Sequence, residues 1–144
     1  MQHIAIMKKE WGLTQRIIDG VKTIESRWYK FKTGSWGRVR VGEEIFFKDS
    51  GSPVTVKAAI TKVEQYKIKN NHEAVKLMIA YALEVLGTTT LSKPIKDYIT
   101  NKKYAVFVHF NKVKKITPFD IDKAGFGMQC AWLVVDSVNK IKKK

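Results

Sequence analysis

The run "VTVKAAITKVEQY", residues 54–66, sets Val54, Val56, Ala58 and Ile60 on one face and Thr55, Lys57 and Thr61 on the other. Period two is the signature of a strand with one buried face, and so regular a run commits the chain to a sheet. "HIAIM" (3–7), "KTIESRWYKF" (22–31), "EEIFFK" (43–48), "KYAVFVHFNKV" (103–113) and "AWLVVD" (131–136) supply further strands, separated by turn-forming stretches such as "TGSWG" and "DSGSP". Helical spacing appears in "KEWGLTQRIIDG", which Gly20 stops, and in "HEAVKLMIAYALEVLG", which Gly87 ends. Asn70 followed by Glu73 reads as a capping box for that second helix, and "KPIKDYIT", with Pro94 in its first turn, is a third. Residues 116–130 read as a loop or a single helical turn, and the lysine-rich end, 140–144, as a disordered tail. The strands do not alternate with helices in βαβ units. The expected architecture is α+β: a small mixed sheet closed as a barrel, with two to three peripheral helices. Residues 1–139 form one domain, since 144 residues suffice for a single core.

Charge narrows the function. The formal net charge of +14 suggests a polyanionic partner, because a summed positive field concentrates phosphate near the surface. The bland alternatives are a lysine-rich protein kept dispersed by its charge and a basic protein that docks on an acidic protein. Lysines run from Lys8 to Lys144, but the arginines, Arg16, Arg27, Arg38 and Arg40, all lie within the first 40 residues. The planar guanidinium fork suits phosphate contacts and base stacking, so the recognition face is expected in the N-terminal part. Three of those arginines share residues 20–40 with Trp28, Tyr29, Phe31 and Trp36, and with the carboxylate Glu25.

Alternation in "TIESR" sends Thr23, Glu25 and Arg27 to one face and Ile24, Ser26 and Trp28 to the other, with Lys22 at the entry. An acid between two bases is either a surface ion-pair network or the lining of a cleft. In "DGVKTIESRW", Gly20, Lys22, Glu25 and Arg27 match G-x-K-x-x-E-x-R, which resembles the signature of the ASCH domain, a member of the PUA-like superfamily of RNA-associated β-barrels. "KDSGSPV" and "PFDIDKAGFG…AWLVVD" also resemble segments of stand-alone ASCH proteins, so the likeness covers most of the chain. The resemblance implies a PUA-like barrel and a cleft proposed to bind RNA, lined by the signature residues. Lys22 and Arg27 would contact phosphate or base, and Glu25 would hold them or read an amino group.

Positive charge interleaved with aromatic rings is also how single-stranded nucleic acid is gripped. The nucleic-acid-binding candidates are therefore Lys22, Glu25, Arg27, Tyr29, Trp36, Arg38, Arg40, Lys48 and Phe126. Trp36 is either an exposed stacking platform or a cap on the barrel end. Phe126, flanked by two glycines, is a further stacking candidate. On this reading, Arg27→Ala or Lys22→Ala weakens RNA binding without unfolding the protein.

Some ASCH-like proteins are amidohydrolases of acetylated cytidine, and that mechanism, as the resemblance implies it, pairs a lysine with a threonine three places on. Lys22 fits; Glu25 stands where the hydroxyl belongs, which counts against it. Ribonuclease chemistry would need a base, Glu25 or Tyr29, beside cations such as Lys22 and Arg27. Lys22 and Glu25 are thus the catalytic candidates, and enzyme activity stays open behind a binding role. His3, His72 and His109 lack neighbours at ligand spacing and Asp120/Asp122 are a weak pair, so neither metal nor cofactor is expected. Cys130 reads as a small buried hydrophobe. With no long apolar run at the start and none of transmembrane length, the chain is expected in the cytoplasm, off the membrane. RNA is the expected partner.

Overall fold

The computed structural model describes residues 1–127 and 129–143. In chain order it contains β1 (Gln2–Met7), α1 (Leu13–Ile18), β2 (Ile24–Tyr29), β3 (Glu44–Asp49), β4 (Val54–Lys67), α2 (Asn71–Leu86), α3 (Lys93–Ile99), β5 (Tyr104–Phe119) and β6 (Trp132–Val135). The six strands make one mixed sheet in the order β2-β5-β4-β3-β1-β6, antiparallel except for the parallel β1–β3 pair. It is the expected α+β arrangement, with one qualification: the sheet curls as a half-barrel whose free ends are β2 and β6.

Curling comes from β4 and β5, whose register shifts three times, between Val54 and Val56, Lys57 and Ala59, and Ile60 and Lys62. Each irregularity bends the pair and increases its twist. One face of the sheet carries Ala5, Met7, Ile45, Phe47, Val56, Ala58, Ile60, Val106, Val108 and Phe110 into an inner core. The opposite face of β5, Ala105 and Phe107, packs with Ile24 and Trp28 against Met78, Ala82 and Val85 of α2. Two-sided burial explains why residues 104–110 read as a nearly continuous apolar run.

The helices begin and end where their caps dictate. Asn70 accepts the backbone N–H of Glu73 at 2.8 Å, and Gly87 closes α2 by donating its N–H to Leu83 O. The helix expected over 9–20 is divided: a 3-10 turn at Lys9–Trp11 precedes α1, because Gly12 sits at φ 63°, outside the right-handed helical region. At the other end, the expected disordered tail proves partly ordered. Asp122 N–H donates to Ile141 O, Lys143 N–H to Asp120 O, and Ile121 bridges Lys142, so residues 141–143 clasp the segment after β5. This clasp covers a third apolar cluster containing Ile4, Phe46, Leu133 and Val138. Lys144, in that expected tail, and Met128, in the expected loop, lie outside the described residues. The strand β5 also runs on to Phe119, four residues into the stretch expected to be loop.

Candidate functional site

The last four carbonyls of a helix have no intrahelical donor and carry its negative dipole end. In α2, each finds a partner. Gly87 N–H donates to Leu83 O, Thr23 N–H to Glu84 O (2.8 Å), Lys22 Nζ to Val85 O (2.5 Å) and Arg16 Nη1 to Leu86 O. The segment leading into β2 is thus docked on the α2 C-terminus by two cations and a backbone amide. Lys22 is wholly buried there; its other donors go to Ile24 O (2.6 Å) and Glu25 Oε1 (3.0 Å).

From that anchor, Glu25 and Arg27 project side by side from one face of β2. Glu25 Oε2 accepts from Arg27 Nε (3.1 Å) and Nη2 (2.9 Å). The guanidinium then reaches across the open side of the half-barrel: Nη2 donates to Ile6 O at 3.1 Å and Nη1 to Ala131 O at 3.0 Å. Arg27 therefore stitches β2 to β1 and to the residue before β6, where no backbone ladder joins the two ends of the sheet. Its guanidinium carbon lies 5.3 Å from the Trp132 ring centroid, and Trp132 Nε1 donates to Nδ1 of the fully buried His3 (3.1 Å). His3 Nε2 in turn donates to Glu43.

Electrostatics hold Glu25 and Arg27 ionised. Burial pushes the Glu25 carboxyl up, but the Lys22 and Arg27 charges, with their hydrogen bonds, more than reverse this and keep it below the usual range. Burial likewise opposes the Arg27 charge, and Glu25 outweighs it. For Lys22 burial wins: its ammonium is lowered despite Glu25. Tyr98, half-buried beside Arg27 and accepting the Trp28 N–H, is pushed up by desolvation to about 12 and stays a neutral hydroxyl.

Above this cluster opens a cleft of about 420 Å³. Its polar lining includes Glu25, Ser26, Arg27, Lys8 and Gln129, and its rings are Trp11, Trp28, Tyr29, Tyr98 and Trp132. Of the residues expected at the site, Glu25, Arg27 and Tyr29 are on this lining. Lys22 is behind the floor, where all three of its donors are used, and no hydroxyl partners its ammonium. Trp36 packs edge-on against Tyr104 (5.0 Å) at the barrel end, the capping role. Arg38 and Arg40 are exposed outside the lining, Lys48 lies near Lys123 and Lys143, and Phe126 is half-buried against the third cluster. The expectation that Lys22→Ala leaves the fold intact needs correction, since it would strip two carbonyls and a carboxylate of a buried partner. The same holds for Arg27→Ala, which would cut the seam.

Ser26, placed on the far face by alternation, lines the cleft as well, its Oγ accepting from Trp28 Nε1 (3.1 Å). The reason is that β2 is an edge strand, so an opening at its edge meets side chains from both faces. Trp11, Tyr98 and Trp132 are not among the site candidates that the sequence offers, because they come from three separate elements. His109 pairs with Glu64 (2.5 Å), which also accepts from Tyr66 and Tyr81, in a cluster that does not contribute to the cleft lining.

Comparison with known proteins gives the architecture its parallel. No protein-family model and no curated protein matches the chain. Among solved structures it is similar to the ASCH protein of Zymomonas mobilis. A tyrosine-to-phenylalanine mutant of that protein gives a TM-score of 0.67 at 16% identity, covering 96% of this chain and 93% of that one. A serine-to-alanine mutant gives 0.66 at 17%, covering 96% and 91%, and the unsubstituted protein 0.63 at 17%, covering 93% and 87%. The chain has the ASCH fold. In this ASCH fold the signature residues Lys22, Glu25 and Arg27 form one ion cluster, two of whose members face the cleft. No helix among the described residues is long and apolar enough to cross a membrane.

Proposed function

We propose that the cleft holds a base of single-stranded or modified RNA, so that the protein is an RNA-binding module of the ASCH type. One observation carries the reading. A hollow of about 420 Å³, walled by five aromatic rings, has an ionised carboxylate and a guanidinium on its floor. Apolar walls with a few convergent polar groups are what a planar ligand requires. Rings stack on any base, while a carboxylate accepts from an exocyclic amino group and a guanidinium donates to a ring nitrogen or carbonyl. The net charge of +14 supplies the long-range attraction.

The test is fluorescence anisotropy of labelled single-stranded RNA, duplex RNA and single-stranded DNA with wild type and Trp11→Ala. Stacking contributes roughly 1–3 kcal/mol per base, so the variant is expected to bind single-stranded RNA about 5- to 150-fold more weakly. Equal affinity in the two proteins, or no binding by wild type, would refute the proposal. The same mixtures, and acetylated nucleosides, are then resolved by chromatography. Cleavage products or released acetate would replace the binding module by a ribonuclease or an amidohydrolase acting in the same cleft.

A further inference from the structure

Ammonium groups gather at the mouth of the cleft in a way the signature residues do not account for. Lys8 Nζ stands 4.8 Å from the Trp11 ring centroid, and Lys102 Nζ stands 5.2 Å from that of Tyr98. The two rings meet edge to face at 5.6 Å, and both belong to the cleft wall. Lys30 follows Tyr29 on the adjoining strand end, where Lys103 N–H donates to Tyr29 O. Lys32 continues the row, 5.9 Å from the Tyr104 ring. Among the described residues, none of these four lysines has a carboxylate within 4.0 Å, in contrast to Lys22, Lys57, Lys62, Lys93 and Lys140. Burial, and then the charges of Lys30 and Lys8, hold the Lys102 ammonium below its ordinary range. Like charges held together without a counter-charge repel one another, and a bound anion relieves that repulsion.

On the floor of the cleft, by contrast, the two signature cations are largely committed to the protein itself. Lys22 is sealed, and Arg27 has its Nε–H, both Nη2 hydrogens and one Nη1 hydrogen committed to Glu25, Ile6 and Ala131. A nucleotide whose base enters the cleft leaves its phosphodiester at the mouth. We propose that Lys8, Lys30 and Lys102, extended by Lys32, form a phosphate track for the backbone of a single-stranded nucleic acid, held in place on the Trp11 and Tyr98 rings. The track rests on the reading of the cleft as a base pocket and adds a requirement: the ligand is a strand with flanking phosphates rather than a free nucleoside.

The experiment uses a fluorescein-labelled, mixed-sequence RNA ten-mer, titrated at several salt concentrations. Single strands give a slope of log K against log salt of about −0.7 per phosphate contacted. Changing Lys8, Lys30 and Lys102 together to alanine is expected to make the slope shallower by about 2. Each contact is worth about fivefold at 0.1 M salt by the same relation, so affinity there falls about a hundredfold. Changing Lys112, Lys114 and Lys115, on the distal half of β5, removes equal charge and is expected to leave the slope within about 0.5 of wild type. Failure of wild type to bind the ten-mer sinks the base pocket and the track together. Wild-type binding with an unchanged slope in the first variant, or an equal loss in the second, overturns the track alone.

Discussion

Replacing Lys22 by methionine separates a structural role for the signature lysine from a ligand-contacting one. The substitution keeps an unbranched apolar stem and deletes an ammonium that is wholly buried and bonded to Val85 O (2.5 Å), Ile24 O (2.6 Å) and Glu25 Oε1 (3.0 Å). Two carbonyls lose their donor, one of them at the C-terminal end of α2, and Glu25 keeps only Arg27. Removing one partner of a buried ion pair costs about 3–5 kcal/mol. At roughly 2.1 cal/mol/K per residue, a chain of 144 residues loses about 3 °C of Tm per kcal/mol, so a drop of about 10–16 °C is expected. Calorimetry measures the drop, and hydrogen exchange locates it: amides in the last turn of α2 should lose protection first. Glu25→Gln should be at least as damaging, because it leaves two buried cations without their carboxylate. A Lys22→Met protein that melts within about 2 °C of wild type, yet binds RNA poorly, would refute the argument and return Lys22 to the ligand.

Two other perturbations test the walls of the cleft. His3 accepts the Trp132 N–H through an unprotonated Nδ1, and burial lowers its pKa below 6.5. The unfolded chain therefore takes up the proton first, so stability contributed by neutral His3 is complete above pH 6.5 and declines as pH falls through the depressed value. Tm measured between pH 7.5 and 5 should fall more steeply for wild type than for His3→Gln; parallel curves would show that His3 does not carry the dependence. Gly34 has φ 58°, and a Cβ there would stand 2.5 Å from the Tyr29 ring. Gly34→Ala should thus displace Tyr29 from the lining and cost about 1–3 kcal/mol, read by denaturant titration, with a matching loss of RNA affinity; an unaltered midpoint and affinity would disprove the contact.

What could be read from the sequence, and what could not, divides along the distance between interacting residues. Period two placed β4, and the caps Asn70 and Gly87 placed α2, because both signals are local. G-x-K-x-x-E-x-R gave the correct pairing of Glu25 with Arg27, which a strand puts on one face two residues apart. Alternation said nothing dependable about Lys22, which precedes the strand and whose target, Val85 O, lies 63 residues away. It misplaced Ser26 because facing is not the same as reachability on an edge strand. Trp11, Tyr98 and Trp132 meet only through the tertiary fold, and no spacing rule joins them. Arg38 and Arg40 stand out by residue type alone, yet in the structure both are exposed and neither is on the cleft lining.

The distribution of committed donors then bears on how such a site would work. Nearly every N–H that the signature trio owns is spent on the protein itself: α2 is capped, the half-barrel seam is stitched and Glu25 is kept ionised. What the two lining residues keep in reserve is one Nη1 hydrogen of Arg27 and an open lone pair on Glu25, a pairing suited to the edge of a base and poorly suited to a phosphate. Recognition of a base and attraction to a backbone would therefore reside in different residues, the first in the buried pair and the second in the lysines at the mouth. Salt should then weaken binding to all RNA sequences in the same proportion while leaving the ratio between preferred and disfavoured bases unchanged. A base preference that decays with added salt would mean that the phosphate contacts and the base contacts are made by the same groups, and the division of labour would fail.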